Sequence, residues 1–312
     1  MKVTLAATIA LLATSVFAGA AAGSAGDILI PGENLFTESI TSSADGTIYI
    51  GSVGARAIFR ALPGAGTAEM WIAPGAHELT TVYGVFADDR SQTLWVCTRA
   101  DSSTGTPSAL HAFDVANAQP RGRWVLPTPG AFCNDIAVGS DGTVYATDTG
   151  NMQIVRLSPG AQTLEVWSAH EMFGPKGGVL DGIAVVDGRV VVNTLSTGKL
   201  FSVEIIEGGA AGRPVEVQLN RALDRPDGQR SYGGNGLLLV ESGGIGRLSQ
   251  VVFSSDQRTA TVTTLAENFP GGPVAVTAVG EVAFVIEAQF KAKQSADSTL
   301  LPRAYRAIAV RL

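Results

Sequence analysis

The chain has 312 residues, of which 46% are hydrophobic and only 16% are charged. That composition allows a sizeable core, in one large β domain or in two ordinary domains. The 22 Lys and Arg residues face 28 Asp and Glu residues, for a formal net charge of −6, and no basic stripe is present. This balance argues against a nucleic-acid-binding protein, whereas it does not oppose a cation site.

The N-terminal residues have the features of a secretory signal. Lys2 precedes the apolar run LAATIALLATSVFA, and Ala18 and Ala20 fit a small-residue cleavage pattern. The run is shorter than the roughly 20 residues that a membrane-spanning helix needs. We therefore predict a cleaved signal peptide at 1–20, export to the periplasm or the exterior, and one mature domain at 21–312 without membrane contact.

A turn followed by an alternating strand recurs along the remaining chain. These units lie at 44–53, 91–100, 140–149, 186–195, 232–243 and 279–288. Several begin with Asp-Gly or Gly-Asn-Gly turns typical of hairpins, and each is followed by a third strand and usually by a fourth. Six such units predict an all-β fold, a six-bladed β-propeller. A β-sandwich or two stacked sheets is the alternative.

The two ends of the repeat region predict how the ring closes. The sixth unit ends with YRAIAVRL at Leu312 and has no fourth strand, while a spare strand, GDILIP, precedes the first unit. Pairing 26–31 with 304–312 would complete the sixth blade. It would also remove an unpaired sheet edge, which proteins tend to avoid.

One position at the start of each inner strand carries mostly polar residues. In chain order these are Glu38, Tyr83, Asn134, Asp181, Asp227 and Gly272. Equivalent positions of a propeller lie at the same height around its axis, so three carboxylates and an amide oxygen would converge there. Such carboxylates raise one another's pKa unless a cation is bound. Hard oxygen ligands select Ca²⁺, with Mg²⁺ or Mn²⁺ also possible, over Zn²⁺. The alternative is a set of turn caps, above all at Asp181 and Asp227, each of which precedes a Gly.

Four segments in this order resemble the senescence-marker-protein and gluconolactonase family of regucalcin-like propellers. More distantly, the chain resembles paraoxonases and strictosidine-synthase-like proteins. The segments are LFTESITSSADGTIYIGS with Glu38, FCNDIAVGSDGTVYATDT with Asn134 and Asp135, LDGIAV with Asp181, and RPDGQRS with Asp227. The resemblance spans nearly all of the mature chain.

The resemblance implies a divalent metal held by Glu38, Asp181 and Asp227, with Asn134 beside the metal and the substrate. It also implies hydrolysis of a lactone or related ester. Asp181 replaces an Asn that is usual in the family, which adds a negative charge. Phe132 stands where sugar-lactone members often carry Arg, so a polyhydroxylated substrate is less expected.

The chemistry expected of this site is attack of water on a carbonyl that the cation polarises. Asp227 is the candidate general base, and Asn134 is the second candidate catalytic residue. We expect Tyr83, Phe132 and the loop residue His170 to contact a small-molecule substrate, although a loop His is more often a plain surface residue. The polar insertion at 287–304 is either a lid over the site or a solvated loop.

Two further functions remain open at this stage. One is a non-catalytic propeller that binds a ligand or partner around a structural ion, and the other is a strictosidine-synthase-like activity. A serine-hydrolase elbow and a phosphate-binding loop find no support. Cys97 and Cys133 are either a disulfide, which an exported protein permits, or two separate buried thiols.

Overall fold

The computed structural model describes residues 26–294 and 302–312, which form six small β-sheets arranged as a six-bladed propeller. The predicted signal peptide at 1–20 lies outside the described residues. A short helix, α1 (Phe290–Gln294), and three 3₁₀ turns (Ala76–Glu78, Glu171–Phe173, Glu207–Gly209) interrupt the strands. None of the helices in this part of the chain is long and apolar enough to cross a membrane.

The strands follow the six predicted units in chain order. The N-terminal strand is β1 (Ile28–Ile30). Blade one contains β2 (Thr37–Ser42), β3 (Ile48–Ser52), β4 (Ala57–Ala61) and β5 (Glu69–Ile72). Blade two contains β6 (Thr81–Asp88), β7 (Thr93–Arg99), β8 (Ala109–Asp114) and β9 (Pro120–Val125). Blade three contains β10 (Cys133–Val138), β11 (Val144–Asp148), β12 (Gln153–Leu157) and β13 (Glu165–Ala169).

The second half of the ring has the same plan. Blade four contains β14 (Leu180–Val186), β15 (Arg189–Thr194), β16 (Lys199–Glu204) and β17 (Val215–Glu216). Blade five contains β18 (Gln218–Leu219), β19 (Pro226–Tyr232), β20 (Gly236–Glu241), β21 (Arg247–Phe253) and β22 (Thr259–Glu267). Blade six contains β23 (Pro273–Val279), β24 (Val282–Glu287) and β25 (Tyr305–Arg311), with β1 as its fourth strand.

The ring closes as the sequence predicted. β1 pairs antiparallel with β25, with Ile28 opposite Ala307 and Ile30 opposite Tyr305. All four of these side chains are buried. The first and last strands of the described chain therefore complete one sheet.

The segment that follows the third strand of blade four pairs with two blades. Val215 pairs antiparallel with Ser202 of blade four, whereas Gln218 pairs parallel with Thr259 of blade five. The Asn220 side chain then accepts from Val262 N (2.7 Å), which fixes the end of the segment on blade five. One stretch of chain thus bridges the outer edges of two neighbouring sheets.

Apolar side chains of neighbouring blades pack against each other and form the core. Between blades three and four, Tyr145 meets the Trp167 ring edge-on, with centroids 4.8 Å apart, in a cluster that includes the fully buried Ile183 and Val192. Burial of such side chains is the main force holding the blades together. The inner strands are thereby held at fixed positions around the axis.

Candidate metal and substrate site on the propeller axis

The predicted ring residues lie in β-bulges at the start of the inner strands. In each blade, the pairing of the inner strand with its neighbour shifts register at this point. The residues inside the six irregularities include Glu38, Tyr83, Asn134, Asp181, Asp227 and Val274. Bulges redirect side chains and are frequent beside active sites.

The ring position predicted for blade six, Gly272, was wrong by two residues. Gly272 precedes strand β23, and Val274 occupies the bulge there. Both residues line the larger cavity described below, but only Val274 also lines the space at the centre of the ring. The ring is therefore Glu, Tyr, Asn, Asp, Asp and Val.

The two Asp-Gly pairs of the ring are sites of close packing between blades. A Cβ atom on Gly182 would lie 2.4 Å from the Asp227 carbonyl oxygen, and one on Gly228 would lie 2.6 Å from that of Val274. Neither pair closes a hairpin, because both lie inside inner strands. Glycine here lets each bulge approach the bulge of the next blade.

All five polar ring residues surround a very small space on the axis. Its volume is about 10 Å³, close to the minimum that one water-sized particle requires. Glu38, Asn134, Asp181 and Asp227 line it, together with Tyr83. The predicted convergence of these side chains is therefore present.

The two aspartates of the ring have raised pKa values. Burial raises the pKa of Asp181 to about 7, and the charge of Asp135 adds to this shift. Burial also raises the pKa of Asp227 well above its ordinary value, with further contributions from the charges of Asp181 and Glu38. Each carboxylate thus lies within the field of the others, as expected of a site that a cation would stabilise.

Asn134 is held by its amide nitrogen. Its Nδ2 donates to Asp181 Oδ1 (2.9 Å) and to Thr149 Oγ1 (3.1 Å). Both bonds leave the amide oxygen as the atom with which Asn134 could contact a cation or a substrate. Asn134 also connects blade three to blade four at the level of the ring.

Asp135 belongs to a buried ion pair that crosses the axis. Both of its carboxylate oxygens accept from Arg230 Nη1 (3.0 Å each), and Oδ2 also accepts from Ile183 N (3.2 Å). Arg230 Nη2 donates to Val85 O (2.9 Å), so this one guanidinium links blades five, three and two. Asp135 thus supports the ring from outside it, through Arg230 and the backbone of Ile183.

Arg230 is the residue that sequence reasoning missed. It lies in RPDGQRS, where polar residues stand at positions that an inner strand usually gives to apolar ones. Strand β19 nevertheless forms in full, because Gln229 and Arg230 find buried partners: Gln229 Nε2 donates to Val191 O (2.8 Å). The signal available in the sequence was this arginine, three residues after the ring position Asp227.

A larger cavity shares its floor with the ring. Its volume is about 440 Å³. Besides the ring residues, its lining includes Phe132, Val179, Leu195, Arg225, Ser242, Ala288, Phe290 and Lys291. The size suits a small organic molecule, and the walls combine apolar side chains with polar and charged ones.

Tyr83 and Phe132, both predicted to contact substrate, line this cavity and touch each other. Their rings meet edge-on with centroids 4.5 Å apart. The Arg99 guanidinium lies 4.9 Å from the centre of the Phe132 ring, on which it can make a cation–π contact. Burial, and then the charge of Glu38, raise the pKa of Tyr83. Phe132 is thereby held in one orientation.

His170 does not line either axial cavity. Its Nδ1 accepts from Met172 N (3.1 Å), so the imidazole caps the 3₁₀ turn Glu171–Phe173. Of the other histidines, His111 is buried beside Thr98 Oγ1 (3.0 Å), and His77 stacks near Phe113. The described histidines are therefore all remote from the ring.

Part of the polar insertion at 287–304 reaches the cavity. Phe290 and Lys291 of helix α1 line it, whereas residues 295–301 lie outside the described chain.

Cys97 and Cys133 form a disulfide with their Cα atoms 5.1 Å apart, which joins β7 to β10 beside Asn134. The disulfide alternative is thus confirmed over two free thiols.

The donor set fits a hard divalent cation by its chemistry. Carboxylate and amide oxygens are the groups that Ca²⁺, Mg²⁺ and Mn²⁺ accept, and the ring contains neither a His nor a Cys. Within the described residues, however, no three His, Cys, Asp or Glu side chains are grouped closely enough to hold a metal as they stand. Coordination would require the ring side chains to move closer together.

Comparison with solved structures agrees with the propeller fold. A gluconolactonase from Xanthomonas campestris matches with a TM-score of 0.61 at 18% identity, covering 81% of this chain and 83% of that chain. A calcium-binding protein, regucalcin, from Agrobacterium tumefaciens matches with a TM-score of 0.62 at 14% identity, over 91% and 96% of the two chains.

A third similar structure has a different activity. It is a catalytically inactive histidine-to-alanine variant of virginiamycin B lyase from Staphylococcus aureus, solved with quinupristin; the TM-score is 0.59 at 15% identity, over 83% and 80% of the chains. No protein-family model matches the chain, and no curated protein matches it. At these identities the likeness establishes the fold alone.

Proposed function

We propose that this protein is an exported, metal-dependent hydrolase of a lactone or related ester. The observation that carries the proposal is the ring: two buried carboxylates, one half-buried carboxylate and an amide around a space for one small particle, at the floor of a cavity for a small molecule. Gluconolactonase and regucalcin structures with the same fold support this class of function.

Glu38, Asp181 and Asp227 would hold the cation, with the Asn134 amide oxygen as a further ligand. Ca²⁺ is the best match, because it accepts carboxylates and carbonyl oxygens in flexible geometry. When bound, such an ion polarises a carbonyl and stabilises the negative charge that develops on its oxygen.

The chain's own residues supply the remaining functions. Asp227 would act as the general base, because a bound cation keeps its carboxylate ionised and an ionised carboxylate can accept a proton from water. Asn134, fixed by Asp181 and Thr149, orients the reacting group. Tyr83 and Phe132 contact the part of the substrate that does not react. The geometry gives His170 no part in this proposal.

Export is proposed from the N-terminal sequence, and the disulfide supports it. Disulfides form and persist in the periplasm or outside the cell, and are rare in reducing compartments.

The test is hydrolysis of a panel of lactones and aryl esters by the purified protein, after chelation and after addition of Ca²⁺ or Mn²⁺. We expect turnover that disappears with chelator and returns with the metal. Asp227→Asn should lower kcat at least about 100-fold, as removal of a general base does. Asp187→Asn is the matched control, because Asp187 is an exposed turn residue beyond the far end of strand β14.

The competing function is a non-catalytic propeller with a structural ion. Ca²⁺ binding that depends on Asp227, without turnover of any panel member, would favour it. A lyase mechanism that uses a histidine finds no support, since none of the described histidines lines the cavity.

A further inference from the structure

The cavity above the ring contains two cations that the proposed mechanism does not use. Arg225 and Lys291 both line it, and both side chains are exposed. In the described part of the chain, Arg225 belongs to no ion pair. The same is true of Lys291 within those residues. Most arginines elsewhere in this protein are paired with carboxylates, so an unpaired one in a cavity is a candidate for contact with a ligand.

The backbone of Arg225 is held firmly at this place. Its φ angle is 55°, in the left-handed region that an arginine rarely adopts. Its carbonyl oxygen accepts from Ser242 N (2.9 Å) and Ser242 Oγ (3.1 Å), and Pro226 follows it. A strained and anchored residue at the edge of a cavity is frequent at ligand-binding sites.

A second arginine nearby is already engaged. Arg99 lies against the Phe132 ring, and its charge partly offsets the burial that raises the pKa of Tyr83. Its role is therefore to fix the aromatic wall, whereas Arg225 stays available.

Four apolar side chains line the cavity together with the two cations and the ring residues. Phe132, Val179, Leu195 and Phe290 offer surface to an aromatic or aliphatic group but few hydrogen bonds to a polyol. A neutral apolar ligand would leave Arg225 without a partner, and a sugar lactone would leave its hydroxyl groups unsatisfied against these walls.

We propose that the site accepts an anionic lactone or ester with a largely apolar body, and that Arg225, assisted by Lys291, binds the anionic group. That the ligand is a lactone or ester rests on the proposed hydrolase function, whereas the binding of an anionic group by Arg225 does not. An arginine fork binds a carboxylate with two parallel hydrogen bonds, which gives orientation as well as affinity.

The test uses a matched pair of probes. One is a γ-butyrolactone with a phenyl substituent that bears a para carboxylate, and the other bears a para carboxamide instead. Hydrolysis of both is measured in the Ca²⁺-loaded protein. Binding of the corresponding tetrahydrofurans, which lack the carbonyl and cannot be hydrolysed, is measured by calorimetry.

The variants are Arg225→Gln and Lys291→Gln, with Arg213→Gln as the control. Arg213 is exposed, does not line the cavity, and its substitution changes the net charge by the same amount. We expect Arg225→Gln to reduce the carboxylate-over-carboxamide preference about 10-fold, in both kcat/KM and binding, as loss of a charge-assisted pair does. Lys291→Gln should act in the same direction but less, and Arg213→Gln should leave the preference unchanged.

Each outcome bears on one of the two claims. Equal effects of Arg225→Gln on both probes, an equal effect of Arg213→Gln, or no binding of the carboxylate analogue to the unmodified protein would overturn the anion site. If the analogue binds in an Arg225-dependent manner while neither lactone is hydrolysed, the anion site stands and the hydrolase proposal fails. If both lactones are hydrolysed without dependence on Arg225, the hydrolase proposal stands and the anion site fails.

Discussion

Asp227 is the single residue on which the ring depends most. It is buried, lies within the field of Asp181 and Glu38, and is followed by a glycine that places it against the next blade. Asp227→Asn keeps the side-chain volume and removes one charge. We expect a folded protein whose Ca²⁺ affinity, measured by calorimetry, falls by about 100-fold, because ligand charge sets the affinity of such sites.

Asp181→Asn provides the comparison within the ring. This substitution restores the residue usual in the family that the sequence resembles, and the Asn134 amide keeps a carbonyl oxygen to donate to. We expect a smaller loss of affinity than in Asp227→Asn. Unchanged affinity in both variants would mean that these residues do not hold a cation.

The second prediction for a single residue concerns Arg230. It is buried and donates to Asp135 and to the carbonyl oxygens of Val85 and Ile40, which lie in two other strands. Arg230→Met leaves Asp135 as an uncompensated buried charge, which costs about 3–5 kcal/mol. The free energy of unfolding should fall by that amount in denaturant titrations, and Asp135→Leu added to Arg230→Met should recover part of it.

The control for this prediction is an exposed ion pair. Arg306 lies 3.9 Å from Asp27, and its side chain is 50% exposed. Arg306→Met should cost less than about 1 kcal/mol, as exposed pairs do. Similar losses in the two variants would refute a special role for the buried pair.

At the scale of elements, the bulges of adjacent inner strands must stay in contact. Gly182→Ala would place a Cβ atom 2.4 Å from the Asp227 carbonyl oxygen, which forces blades four and five apart. We expect a loss of about 1–3 kcal/mol from overpacking, together with weaker Ca²⁺ binding. Gly66→Ala is the matched control, since a Cβ there meets nothing within 4 Å. Loss of stability with intact Ca²⁺ affinity would separate the packing from the site.

The disulfide is a second link between elements, joining the second strand of blade two to the inner strand of blade three. The cysteines are 36 residues apart in the chain. The loop-entropy relation then gives a stabilisation of about 4 kcal/mol as an upper value. Cys97→Ala combined with Cys133→Ala should lower the free energy of unfolding by about 2–4 kcal/mol, measured against the oxidised protein. A change below about 1 kcal/mol would show that the blades are held without it.

At the scale of the whole molecule, stability should depend on pH through the ring. The pKa of Asp181 is raised to about 7 and that of Asp227 is raised as well, so the native state retains protons that the unfolded chain has released. Their contribution to stability is therefore complete below about pH 4, the unfolded pKa, and is lost as pH rises through about 7. In chelator, Tm should fall over this interval.

Addition of Ca²⁺ should reverse that trend, because a bound cation favours the ionised carboxylates. The rise in Tm on adding Ca²⁺ should be larger at pH 8 than at pH 5, and Asp227→Asn should reduce the difference. A Ca²⁺ effect that is independent of pH would contradict a site built from these aspartates.

Much of the architecture followed from local pattern. Alternating strands between Gly-rich turns predicted six blades, and the spare strand at 26–31 predicted the closing pair with 304–312. Glu38, Asn134, Asp181 and Asp227 could be placed in one ring because equivalent positions in repeated blades share one height on the axis. Repetition turns a local sequence position into a position in space.

Tertiary structure decided what depends on contacts across the axis or between blades. Arg230 reaches Asp135 from two blades away, and the bulge of blade six contains Val274 instead of Gly272. His170 turned out to cap its own loop, and Arg225 to line the cavity outside the ion pairs found among residues 26–294 and 302–312. A strand pattern is set by neighbours in the chain, whereas these contacts join residues far apart in sequence, whose meeting depends on how the bulges orient each inner strand.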